Sequence, residues 1–235
     1  QKFTCCVVGL GYIGLPTAAL IAKTKNKVIG VDIKNEVVDI VNNGNVHIIE
    51  KGLQSLVKEV VKSGYLFAKN KPSKADVFIL AVPTPLGKSI DSLPKPNIDF
   101  VLKAAISISG FLQPGNLVIL ESTSPVGTTE KIAELIYEKS GLGKDKLSIA
   151  YCPERVLPGR ALEEIISNSR VIGGIDEKSA SQCENFYKSF CKGEIIKTDS
   201  RTAELVKLTE NAYRDVNIAF ANEISMVSGQ LKVKY

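Results

Sequence analysis

Residues 9–14 read Gly-Leu-Gly-Tyr-Ile-Gly, directly after the apolar run FTCCVV (3–8) and at the opening of a helix-length segment, 12–24. No other feature of the chain leaves so few folds open. Gly9 allows a tight turn, Gly11 lets the backbone approach a pyrophosphate, and Gly14 lets the helix pack closely on the strand. The pyrophosphate then meets free N–H groups at the helix N-terminus. Three glycines at this spacing also serve as a purely structural turn, and context separates the two readings. A second apolar run, KVIGV (27–31), follows and ends at Asp32, eighteen residues after Gly14. That carboxylate is placed to accept hydrogen bonds from ribose hydroxyls and would repel a 2′-phosphate, so the spacing predicts NAD rather than NADP.

Further apolar runs repeat the rhythm: VFILAV (77–82), LVILES (117–122), LSIAYC (147–152), RVIGG (170–174) and GEIIKT (193–198). Helix-length amphipathic segments lie between most of them, at 35–43, 53–63, 99–111, 128–140 and 176–190. Strands that read as continuous β-branched runs are buried on both faces, and strands alternating with helices form a parallel sheet. The expected class is therefore α/β: a Rossmann-like, doubly wound, mostly parallel sheet with helices on both faces. A longer helix, about 200–232, closes the chain with no strand after it. Such sheets bind ligands at the carboxyl ends of the strands, so the loops there are the places to look for chemistry.

Composition excludes several classes. The formal charge of +5 comes from lysines scattered along the chain, with no basic block or interleaved aromatic run, which argues for solubility and against a nucleic-acid partner. No apolar run approaches the roughly 18 residues of a membrane span, and the short first run does not read as a secretory leader. Five cysteines, an odd number with no CxxC pair, fit a reduced cytoplasmic setting better than a disulfide framework. Consecutive on one strand, Cys5 and Cys6 are expected to face opposite sides, and Cys152 is read as structural because the only histidine, His47 in NVHIIE, is remote in sequence. No metal site is expected.

Three loops and one helix hold the candidate residues. Thr84 in AVPTP (81–85) and Thr123 in ESTSPVGTTE (121–130) are small hydroxyl donors just past strand ends, placed to line a cofactor's path; turn and cap chemistry is the competing reading. Thr128 or Thr129 is expected to cap the following helix. YCPERVLPGR (151–160) offers Glu154 as a general base on a water and Arg155 as a phosphate partner, unless these are ordinary ion pairs of an exposed loop. In TAELVKLTENAYRDVNIAFANE (202–223), Lys207, Asn211 and Arg214 fall at i, i+4 and i+7 on one helical face, a stripe able to grip an anionic, oxygen-rich ligand. Leu205, Leu208, Ala212 and Val216 form an apolar stripe between them. A solvated amphipathic face is the bland alternative.

Taken in order, GLGYIGLPTA, VIGVDI, AVPTP, ILESTSPVGTTEK, IAYCPERVLPG, RVIGG and SRTAELVKLTENAYRDVNIAFANE resemble the nucleotide-sugar 6-dehydrogenases, the UDP-glucose/GDP-mannose dehydrogenase family, over nearly the whole chain. The resemblance implies a four-electron oxidation of carbon 6 of a UDP-sugar, alcohol to aldehyde to acid, with two NAD reduced. It implies NAD contacts at Tyr12, Ile13, Asp32, Thr84 and Thr123. Arg155, Val156, Lys207, Asn211 and Arg214 would contact the sugar nucleotide. Lys207 and Asn211 would hold the oxygen at carbon 6, with Lys207 also serving in proton transfer, and Glu154 would position or activate the water that hydrolyses a thioester. Residues 1–199 would form the NAD-binding domain and 200–235 a bridging helix that builds a homodimer.

The chain departs from the family in two respects. The cysteine nucleophile of the second oxidation lies in a Gly-Gly-His-Cys stretch beyond the long helix, and no such stretch occurs here. The sugar-nucleotide domain that follows it is also absent, so the expectation is a fragment that holds the cofactor half. Two alternatives stay open: a non-catalytic NAD-binding or dimerising module, and a dehydrogenase acting on UDP-glucose or GDP-mannose.

Overall fold

In the computed structural model, which describes residues 2–87, 94–157 and 159–233, the apolar runs become strands buried on both sides, except GEIIKT, whose strand lies at the sheet edge with Ile196 half exposed. β1 (Thr4–Val8) lies between β2 (Lys27–Val31) and β4 (Val77–Leu80), parallel to both. β3 (Leu66–Lys69) extends the sheet beyond β2, and β7 (Leu117–Leu120) and β8 (Ser148–Tyr151) extend it beyond β4, again in parallel. Successive side chains of a strand point to opposite faces. Cys5 and Val7 therefore enter one core and Cys6 and Val8 the other, as the sequence predicts for the two cysteines. Each fully buried Val or Ile contributes about 1.5–3 kcal/mol, which is why these strands carry no polar face.

Helices α1 (Gly14–Lys23), α2 (Asn35–Asn42), α3 (Leu53–Lys62), α6 (Ala161–Ser167) and α7 (Glu177–Lys188) close the first core. The second is closed by α4 (Asp99–Ser109), α5 (Thr128–Ser140) and the start of α8 (Ser200–Gln230). This is the expected doubly wound architecture. The sequence reading missed β3, whose four residues LFAK alternate in burial at the sheet edge, and the seven-residue α6; both are too short to show a period. It also missed a two-residue antiparallel hairpin, β5 (Leu86–Gly87) with β6 (Lys95–Pro96), inside the loop 83–97, of which 88–93 lie outside the described residues. Cys183 lies within α7, and Cys191 lies just beyond its end.

One departure matters for the site. β9 (Arg170–Gly174) runs antiparallel to β8, and β10 (Ile195–Asp199) runs parallel to β9. The chain therefore leaves β10 at the end opposite the carboxyl ends of β7 and β8, and α8 travels back toward them. Its first turns sit on β9 where Gly173 has no side chain: a Cβ there would meet the Ala203 Cβ at 2.7 Å. Ser200, Ala203, Glu204 and Lys207 are buried by this packing. Leu205 and Val216 of the expected apolar stripe are instead 56% and 67% exposed. Among the described residues, no helix is long and apolar enough to cross a membrane.

Candidate functional site

The glycine turn has the geometry a dinucleotide requires. Gly9 holds a φ of +96°, and a Cβ there would meet the Ala81 carbonyl oxygen at 2.6 Å; one on Gly14 would collide with the Gly9 carbonyl. A Cβ on Gly11 would meet nothing within 4 Å, so that backbone faces open space. The N-cap of α1, Ile13, offers no side-chain cap, and the helix carries no acidic residue in its first turn. Leu15 N–H donates to the Gly11 carbonyl at 3.1 Å and Pro16 carries none, so an anion here meets the positive dipole end and the backbone N–H groups of the turn ahead of Leu15, which is the fit a pyrophosphate needs. Asp32 stands at the mouth of this turn. One carboxylate oxygen accepts the Leu10 N–H at 3.1 Å and the other the Lys34 N–H at 3.0 Å, so each retains a lone pair for a ribose hydroxyl. Tyr12, 40% exposed, donates its hydroxyl to the Ile49 carbonyl at 2.9 Å.

The two threonine loops are stitched together. The Thr84 hydroxyl donates to the Thr123 carbonyl at 2.7 Å, and Ser122 Oγ to the Val82 carbonyl at 2.6 Å. The hydroxyl proton of Thr84 is thus already used, and that oxygen is left as an acceptor. Neither Thr128 nor Thr129 caps α5 with its own side chain. The N-cap is Gly127, and the capping acceptor comes from α8: Glu204 takes the N–H groups of Gly127 at 2.6 Å and Thr129 at 2.7 Å, and the Thr129 hydroxyl at 2.7 Å. A helix start without a capping side chain is free to take a distant carboxylate.

One turn beyond Glu204, Lys207 donates to the Glu154 carbonyl. Burial pushes the Lys207 ammonium down from its ordinary value; Glu154 and Glu210 oppose this, and Arg214 and Arg155 add to it. Lys207, Asn211 and Arg214 do converge, and they converge with Arg155 and Val156 of the loop: all five line one open groove of about 260 Å³, with Glu210 and Tyr213. Arg214 donates to the Asn211 side-chain oxygen at 2.9 Å. The Glu154 carboxylate does not line this groove. It is 6% exposed and turned inward, accepting the Arg155 N–H at 2.7 Å and facing Arg170 at 3.4 Å.

Arg170, 3% exposed, is the hub behind the loop. Its guanidinium donates to Cys191 Sγ at 3.3 Å and the Ile165 carbonyl at 3.0 Å, and stacks 4.5 Å from the Tyr187 ring. Glu50 and Glu164 pin the same loop from outside: Glu50 accepts the Gly159 and Ala161 N–H groups at 2.8 and 2.9 Å, and Glu164 the Leu157 N–H at 2.7 Å. Glu50, Arg170, Glu204 and Glu210 were not singled out from sequence. Glu50 and Glu204 meet partners 109 and 77 positions away, a relation no local pattern encodes. Glu210 had a signal, since it lies three residues after Lys207 and four before Arg214.

Residues 3–191 match the NAD binding domain of the UDP-glucose/GDP-mannose dehydrogenase family, and residues 201–235 match that family's central domain. A UDP-N-acetyl-D-mannosamine dehydrogenase of Campylobacter jejuni is 52% identical over 236 residues, covering 97% of this chain and 57% of its own length. Among solved structures, the UDP-D-ManNAc dehydrogenase of Pyrococcus horikoshii superposes with a TM-score of 0.92 at 44% identity, over 98% of this chain and 55% of that one. The UDP-N-acetyl-mannosamine dehydrogenase of Staphylococcus aureus does so with a TM-score of 0.88 at 43% identity, over 97% and 55%. The chain spans about half the length of the curated relatives it matches.

Proposed function

Because the chain belongs to the UDP-glucose/GDP-mannose dehydrogenase family, we propose that it forms the cofactor half of an NAD-dependent UDP-N-acetyl-D-mannosamine dehydrogenase. The enzyme oxidises carbon 6 of the sugar to the acid in two hydride transfers, yielding UDP-N-acetylmannosaminuronate for surface polysaccharide or glycan synthesis in the cytoplasm. The observation that carries this reading is the groove in which Lys207, Asn211 and Arg214 of α8 meet Arg155 and Val156. The names of the relatives support the choice of sugar over UDP-glucose or GDP-mannose.

NAD, when bound, takes up the hydride; Gly9, Gly11, Tyr12, Ile13, Gly14, Asp32, Thr84 and Thr123 hold it in our reading. Lys207 and Asn211 lie one helical turn apart, and both aim donors at the oxygen on carbon 6, where negative charge develops. Lys207 spends one of three N–H donors on the Glu154 carbonyl, which leaves two for the substrate. Depressed basicity suits its further role in proton transfer. Arg155 and Arg214 receive the charged and polar rim of the sugar nucleotide. Glu154 is the candidate for the water of the hydrolytic step, with its carboxylate facing Arg170 rather than the groove in this structure. All five cysteines are buried, so the family's nucleophile is not assigned to any of them. Residues 1–199 are the NAD-binding unit, and the helix from 200 onward joins two copies into a homodimer.

The test is NAD reduction by the protein expressed from its whole gene, with UDP-N-acetylmannosamine, UDP-glucose and GDP-mannose offered separately. Two NADH per UDP-N-acetylmannosamine, and slower turnover of the others, is the expected result. Preference for another sugar nucleotide would move the substrate assignment within the family, and NAD binding without any turnover would leave only a binding module.

A further inference from the structure

We propose that Glu210 is a positioning residue for Arg155: its carboxylate holds the guanidinium across the gap between the loop and α8, so that the arginine meets the sugar nucleotide already aimed. This rests on the groove being the sugar-nucleotide site.

The Arg155 main chain is fixed at both ends. Its N–H donates to the Glu154 carboxylate at 2.7 Å, and its carbonyl accepts from Asn168 Nδ2 at 2.9 Å. Only the side chain is left to swing. There Nη1 donates to the Ser169 carbonyl at 3.3 Å, and Nη2 pairs with Glu210 Oε1. The two side chains are 32% and 36% exposed and both line the groove. A guanidinium carries five N–H donors. These two bonds leave the others free for a phosphate or a sugar oxygen. An arginine held this way loses little rotamer freedom when the ligand arrives, whereas a loose one loses much more.

A closed latch that the substrate has to break is the opposing account. The groove stays open at about 260 Å³ with the pair formed, and the Ser169 bond anchors the guanidinium at a second point, so the pair aims the arginine and does not cover the site. Glu210 is also flanked on its own helix by Lys207 and Arg214, yet its carboxylate crosses to the loop cation.

The experiment is a double-mutant cycle in the protein expressed from its whole gene, with UDP-N-acetylmannosamine and NAD as substrates and thermal melting to check folding. Glu210→Ala is expected to raise KM for the sugar nucleotide about three- to tenfold, the scale of ordering one long side chain. KM for NAD should stay in place. Glu210→Gln should recover most of the loss, because its amide oxygen still accepts. Arg155→Ala with Glu210→Ala should be no worse than Arg155→Ala alone. An unchanged or lowered KM in Glu210→Ala overturns the proposal, as do additive effects, which mean that Glu210 acts without Arg155. If Arg155→Ala by itself leaves KM for the sugar unmoved, the groove is not the sugar-nucleotide site, and that single variant, with Glu210 intact, shows which reading failed.

Discussion

At Asp32 a single carboxylate closes the glycine turn, through the Leu10 and Lys34 N–H groups, and in the proposed function also accepts from a ribose. Asp32→Ala is therefore expected to weaken NAD binding at least tenfold, about 1.4 kcal/mol, in a fluorescence or calorimetric titration; unchanged affinity would take Asp32 out of the site. Lys207→Ala, measured in the protein expressed from its whole gene, should cut turnover by much more than tenfold, a barrier increase above about 1.4 kcal/mol. Near-normal turnover would make the stripe structural only. Glu121 makes a different prediction. Its carboxyl is buried between Tyr187, which donates at 3.2 Å, and Thr17, at 3.4 Å. Burial pushes it well above the ordinary carboxylate range, and the nearby Glu154 charge adds to this. A carboxyl raised in the folded state contributes stability that is fully present below its unfolded value and is lost as the pH climbs through the folded one. Glu121→Gln keeps an acceptor for Tyr187 and cannot ionise. Denaturant midpoints of the variant should gain on the wild type as pH rises from the acid range to neutrality; parallel curves would mean Glu121 is ionised in the fold.

Among the elements, the placement of α8 decides whether a groove exists. Two contacts set it: the bare backbone of Gly173 under Ala203, and the Glu204 carboxylate on the start of α5. Gly173→Ala puts a methyl group where Ala203 Cβ, the Asp199 carbonyl and Ser200 Cα all lie within 2.7 Å. Overpacking of this kind costs about 1–3 kcal/mol. The expected outcome is a lower melting temperature together with a raised KM for the sugar nucleotide at temperatures where the variant is folded. A change in melting alone would separate α8 from the groove. The Glu204 contact also ties the loop of Thr123 to α8, since α5 begins five residues after Thr123 and ends that loop.

On the scale of the whole molecule, α8 and its C-cap Leu231 reach beyond the sheet carrying Tyr213, Val216, Phe220, Ile224, Val227 and Leu231, at steps of three and four residues and each 47–72% exposed. An apolar stripe of that length in water needs a covering surface. Under the proposed homodimer, Phe220→Asp should shift the protein toward monomer in sedimentation velocity while leaving NAD affinity unchanged. A wild-type protein that is already monomeric would remove the stripe from the dimerisation account.

The sequence alone was enough for the doubly wound class, the dinucleotide turn and the stripe of Lys207, Asn211 and Arg214, because each rests on a period or a spacing within a few tens of residues. Strand alternation, the three glycines and the helical repeat are local, and local geometry is written directly in residue order. Tertiary structure alone decided where those pieces meet. The reversal of β9 and β10 sends α8 back across the sheet, and no pattern within RVIGG or EIIKT states the direction in which a strand will pair. Nor could sequence show that Glu204 caps a helix 77 positions away, that Glu50 holds the loop of Arg155, or that the Glu154 carboxylate turns toward Arg170. A carboxylate looks the same in sequence whether it is solvated or buried; its role follows from which N–H groups the folded chain leaves unpaired beside it.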